Sequence, residues 1–172
     1  MASLMENLMD TLEEEQIFYE QLLQLSMNKT PILIKGDTVA LQKITDEEQD
    51  VIDKINHLDK KRQEVMKDIA NVINRDVDTL RIIHLIQMLE KRPVEQKRLS
   101  SINDRLKETV DEMRRCNEHN KVLIESSLEM VAFDLNLIQS MKSAPETANY
   151  NKGALNAGSI MGPGTGSFDA KQ

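Results

Sequence analysis

Cys116, Glu118 and His119 crowd into "RCNEHNKVLIESSLEM", residues 115–130, and thiol, carboxylate and imidazole within one helical turn suggest a metal or a nucleophile. Tetrahedral zinc needs three or four protein ligands. The chain has one cysteine, and its other histidines, His57 and His84, fall in other segments without ligand clusters around them. On a helical wheel His119 points about 120° or more away from the apolar stripe, which places it on a solvated surface. A cysteine nucleophile would need a positioned base and an oxyanion site, and neither leaves a trace in the sequence. "GPGTGS", residues 162–167, resembles a phosphate loop only by letter. It follows no strand, opens no helix and has no Lys beside its Ser or Thr. The carboxylates Glu13, Glu14 and Glu15 read as helix surface. The expectation is therefore no catalytic residue, no cofactor and no metal.

Asn117 and Asn120 carry more information. Both fall on the same wheel stripe as Ile124 and Leu128. Three readings are open: a buried polar pair that fixes register, a locally exposed stretch, or the lining of a binding groove.

These residues need long helices to position them, and the composition supplies helix formers. Aromatics are 3%, Trp is absent, and the 172 residues include 10 Met but only 6 Gly and 4 Pro. A net charge of −7 argues against a nucleic-acid partner and against anionic lipid, both of which select basic surfaces. A single cysteine suits a reducing compartment. The acidic N-terminal stretch lacks the features of a signal peptide, and no run approaches the roughly 18 apolar residues of a membrane span. The expected location is the cytoplasm, with no stable membrane insertion.

A first helix is expected from about Ser3, where Ser3 and Glu6 have capping-box spacing. Met5, Leu8, Leu12, Tyr19 and Leu22 mark its stripe. Pro31 is expected to interrupt or kink it, with Thr30 capping a new turn. Gly36 and Asp37 predict a turn and the next cap. In the second stretch, positions 41, 44, 48, 51, 55, 58, 62, 65, 69 and 72 alternate by three and four, and only Glu48 and Arg62 are polar. That is a coiled-coil-like seam. Thr45 and Glu48 could box a short preceding helix. Asp76 or Asp78 can cap a shorter helix over "TLRIIHLIQMLE". Pro93 opens the last helix, expected over about 94–141. On it Leu99, Ile102, Leu106, Val110, Met113, Ile124, Leu128, Val131, Leu135 and Ile138 share one stripe.

The predicted fold is all-α: an elongated antiparallel helical bundle, or coiled-coil hairpin, over residues 1–142. Residues 143–172 hold five of the six glycines and two acids against two bases, which predicts a flexible tail. Near the end of the last helix, Met130, Phe133, Leu137 and Met141 form a second stripe roughly opposite to Leu128, Val131, Leu135 and Ile138. One side can pack on the bundle. The other asks for a partner, either a second copy in a homodimer or a different protein. Met-rich stripes adapt well to partner helices.

"NEHNKVLIESSLEMV", residues 117–131, resembles the signature of FlgN-type flagellar export chaperones: an Asn-x-x-Asn, an apolar pair, a Ser-Leu and a further apolar residue. The matching positions are Asn117, Asn120, Leu123, Ile124, Ser127 and Leu128. "IKGDTVALQKITDEEQDVIDKI", residues 34–55, matches a second family feature, a Gly-Asp turn with an acidic entry to the second helix. The resemblance covers residues 4–141. It implies a cytosolic type III secretion chaperone that binds the C-terminal helices of hook-associated proteins, blocks their premature assembly and delivers them to the flagellar export apparatus. It also implies a substrate surface toward the C-terminus. The expected partner-binding set is thus Asn117, Asn120, Leu123, Ile124, Ser127, Leu128, Met130, Phe133, Leu137 and Met141. The alternative is a structural or regulatory coiled-coil protein that self-associates through the same stripe.

Overall fold

A computed structural model of the chain describes residues 2–143. Among them are four α-helices: α1 (Ala2–Lys35), α2 (Thr38–Ile73), α3 (Ile82–Met88) and α4 (Pro93–Ser143). The Gly-rich segment expected beyond α4 lies outside the described residues. The chain divides into two units, Met1–Met130 and Val131–Gln172.

In the first unit, side-chain pairs fix the directions of the long helices. Glu15 meets Arg62 and Ser26 meets Glu48, so α1 and α2 form an antiparallel hairpin. Arg98 reaches Glu13, Arg105 reaches Glu20 and Thr30 reaches Asn120, so α4 runs parallel to α1. The order is up-down-up, with α3 in the connection between α2 and α4.

The turn between α1 and α2 follows from two residues. Gly36 takes φ 66°, a left-handed conformation that costs a side chain roughly 1–2 kcal/mol. Asp37 then caps α2 by accepting from the Ala40 N–H at 2.9 Å. At the other end of α2, Asn74 also sits left-handed at φ 53°, and the Arg75 N–H closes on Ala70 O at 2.9 Å. That closure satisfies carbonyls that the last turn would otherwise leave open. Pro93 stands at the first position of α4, where no N–H is required.

Three local expectations are corrected. Pro31 does not end α1, which continues to Lys35. Leu33 is buried beyond it, and that packing carries the helix through the proline. Thr30 is correspondingly not a cap, because its hydroxyl is spent on Asn120. Thr45 does not start a helix either: its hydroxyl bonds back to Leu41 O at 2.8 Å inside continuous α2. Asp76 caps a 3-10 turn, Val77–Thr79, and α3 begins only at Ile82. There the Arg81 N–H donates to His84 Nδ1 at 3.3 Å.

The core is built in layers. Leu8, Leu12, Ile69, Leu85 and Leu99 anchor the main apolar cluster, where α1, α2, α3 and α4 meet. A second cluster gathers Leu22, Val51 and Ile55, with Phe18, Tyr19 and Met113 packed against it. Leu33 and Ile44 are buried near the hairpin turn. Between these apolar layers lie polar ones.

Candidate partner-binding surface

The first polar layer contains Glu15, Gln16, Arg62 and Thr109. Glu15 is buried and Arg62 Nε lies 3.1 Å from its Oε1. Neither atom has a hydrogen-bond partner, so the contact is Coulombic rather than an aligned hydrogen bond. Burial pushes the Glu15 carboxyl above its ordinary value, and the nearby Arg62 only partly offsets that. Gln16 Nε2 donates to Thr109 Oγ1 at 2.8 Å, joining α1 to α4.

The second polar layer holds the residues that open the candidate signature. Asn120 is 4% exposed. Its Nδ2 donates to Ser26 O at 2.8 Å and its Oδ1 accepts from Thr30 Oγ1 at 2.7 Å. Ser26 Oγ stands 2.9 Å from Asn117 Oδ1 and 3.4 Å from Glu48 Oε1. Glu48 is closed off on its other side by Lys29. Three helices therefore contribute to one hydrogen-bonded layer. Asn120 lies inside it, and Asn117, itself exposed, reaches it through its side-chain oxygen. Of the three readings open for this pair, the buried register device fits Asn120.

Sequence reading missed Ser26, Lys29 and Thr30. The signal was present in part: Glu15 and Ser26 break the apolar spacing of α1 opposite Arg62 and Glu48, the two breaks in the seam of α2.

Past Asn120 the environment changes. The offset of 90 residues between Thr30 and Asn120 places the end of α1 level with about Glu125. Leu123 is half-buried, whereas Ile124, Ser127, Leu128 and Met130 are exposed. Leu128 is 64% exposed. Ser127 turns its hydroxyl back to Leu123 O at 2.8 Å.

In the second unit every residue from Val131 to Lys142 is exposed. Phe133 stands at 67% and Met141 at 71%, and Leu137 joins them. So do Val131, Leu135 and Ile138 on the other stripe. Residues of both stripes from Val131 onward are thus exposed. The wheel assigns a face to each residue but does not say where the neighbouring helices stop.

Glu118 and His119 are exposed, and Cys116 is half-buried. Cys116 lines a shallow groove with Leu23, Met27, Pro31, Glu112 and Arg115. Among the described residues no three His, Cys, Asp or Glu side chains gather as metal ligands do. No helix among them is long and apolar enough to cross a membrane.

The fold is an all-α helical bundle whose last helix carries exposed apolar residues. The sequence matches the model of the family described as FlgN protein over residues 1–157. The chain belongs to the FlgN family, whose members act as flagellar export chaperones. No curated protein and no solved structure gives a match.

Proposed function

We propose that this chaperone captures the C-terminal helices of hook-associated proteins in the cytoplasm, keeps them from assembling and hands them to the export gate. The observation that carries this reading is the run of exposed apolar side chains from Ile124 to Met141. An amphipathic cargo helix could lay its apolar face on Met130, Phe133, Leu137 and Met141, which share one stripe of α4, while Leu128 lies on the opposite one. Met130 and Met141 are unbranched and adaptable, which suits related but non-identical cargo helices. Leu123, Ile124 and Ser127 lie nearer the layer that holds α4 in register. Asn117 and Asn120 act from within that layer, as positioning residues rather than as contacts.

Release at the gate requires moderate affinity, which exposed side chains on a single helix supply better than a deep pocket. No nucleotide or metal enters this step.

The test is co-purification with a hook-associated protein, comparing wild type with Phe133→Asp and Leu137→Asp. Both positions are exposed, so the variants should fold, and circular dichroism checks it. Each aspartate should weaken capture about tenfold or more. Folded variants that hold the cargo as tightly as wild type would refute the site. Failure of wild type to bind, together with a dimer in light scattering that Phe133→Asp dissolves, would favour self-association instead.

A further inference from the structure

The first unit carries a second opening, at the end of the bundle where α1 and α4 begin. Met5, Ile69, Leu85, Met88 and Leu89 surround a cavity of about 250 Å³, and Lys91 and Arg92 complete its lining. Volume limits the guest. Cofactor and drug-sized sites run from about 300 to 1,000 Å³, and a dry cavity of about 150 Å³ takes a benzene ring. This one suits a single large apolar side chain.

Charge specifies the guest's neighbour. The chain carries −7, yet no carboxylate lines the cavity and two cations do. Arg92 is engaged by Glu95 at 3.2 Å, whereas Lys91 forms no ion pair among the described residues. An acid beside the anchoring side chain would meet the Lys91 ammonium. Met88, one of the lining residues, is itself 45% exposed and offers apolar area to a guest. An anionic membrane would select a cluster of four or more bases, so two cations around one deep hole favour a polypeptide.

We propose that this cavity docks a partner protein through one Leu or Phe side chain flanked by acidic residues. The site does not depend on the cargo reading. It uses residues of α1, α2, α3 and the turn before α4, and none of the exposed residues from Ile124 onward. The two sites share no residue.

The experiment uses the full chain labelled with ¹³C at the methionine methyls, each assigned by a Met→Leu substitution. The probe is the peptide acetyl-Asp-Asp-Leu-Phe-Asp-Asp-amide. Saturable shifts of the Met5 and Met88 methyls are expected, while Met130 and Met141 stay in place. Lys91→Glu, at an exposed position, should weaken the probe about tenfold, and a peptide with lysines for aspartates should not bind. The proposal is overturned by absence of a saturable shift at Met88, by equal shifts at Met130 and Met141, or by equal binding of the lysine peptide. Phosphatidylglycerol vesicles that move Met88 where the peptide does not would overturn it in favour of a membrane.

Discussion

Asn120 shows how much one polar side chain can specify. Its amide spans a backbone carbonyl and a hydroxyl of α1 from a buried position, so it tolerates only one axial alignment of α4. Asn120→Leu keeps the branching of the side chain but removes both of its bonds to α1, leaving the Thr30 hydroxyl only a long contact to Ser26 O at 3.5 Å. A loss of about 1–3 kcal/mol is expected in urea unfolding, and an unchanged midpoint would remove the layer from the stability account. Glu15 makes a different prediction. Its folded pKa is raised by burial above the ordinary 4.5, so the folded state holds this proton more tightly than the unfolded state does. The stability it contributes is full at low pH and declines as pH rises from about 4.5 through the folded value. Glu15→Gln should therefore gain on wild type in melting temperature as pH rises above about 4.5. Glu13 runs the other way: the hydrogen bond from Arg98 lowers its pKa. Glu13→Gln should lose ground above about pH 4.5 and match wild type in stronger acid.

At the scale of elements, the hairpin turn tests the backbone argument. Gly36 has open space where a Cβ would stand, so only its positive φ opposes substitution. Gly36→Ala should cost about 1 kcal/mol, and Gly36→Asn less, measured by thermal unfolding. The helices themselves were legible because their apolar spacing runs for many turns, and the α1–α2 turn and Pro93 were legible because Gly, Asp and Pro have narrow backbone roles. Interruption at Pro31 did not follow: α1 runs on to Lys35, with Leu33 buried beyond the proline. Thr45 misled because a cap sequence inside a strong helix simply bonds back on itself. The candidate surface was half legible. The two stripes of α4 follow from residue order, but the exposure of the residues on them is a tertiary fact. The cavity beside Lys91 was not legible at all, since it is assembled from three helices and a turn whose spacing in sequence is arbitrary.

For the whole molecule, burial grades the expected stability. Amides around Leu8, Leu12, Ile69 and Leu99, all at the centre of the main cluster, should exchange slowest. Amides of residues 131–142 should exchange fastest among the described residues, because every side chain of that stretch of α4 is exposed. Addition of a hook-associated cargo should slow exchange from about Ile124 to Met141, and protection confined elsewhere would displace the proposed capture surface. The single cysteine gives this molecule a built-in clock. Cys116 sits half-buried one turn before Asn120, with its sulfur 4.0 Å from that residue's amide nitrogen. Its rate of alkylation in unmodified protein would report access to the shallow groove it lines, and comparing that rate with and without cargo would show whether capture changes that access, without a single mutation.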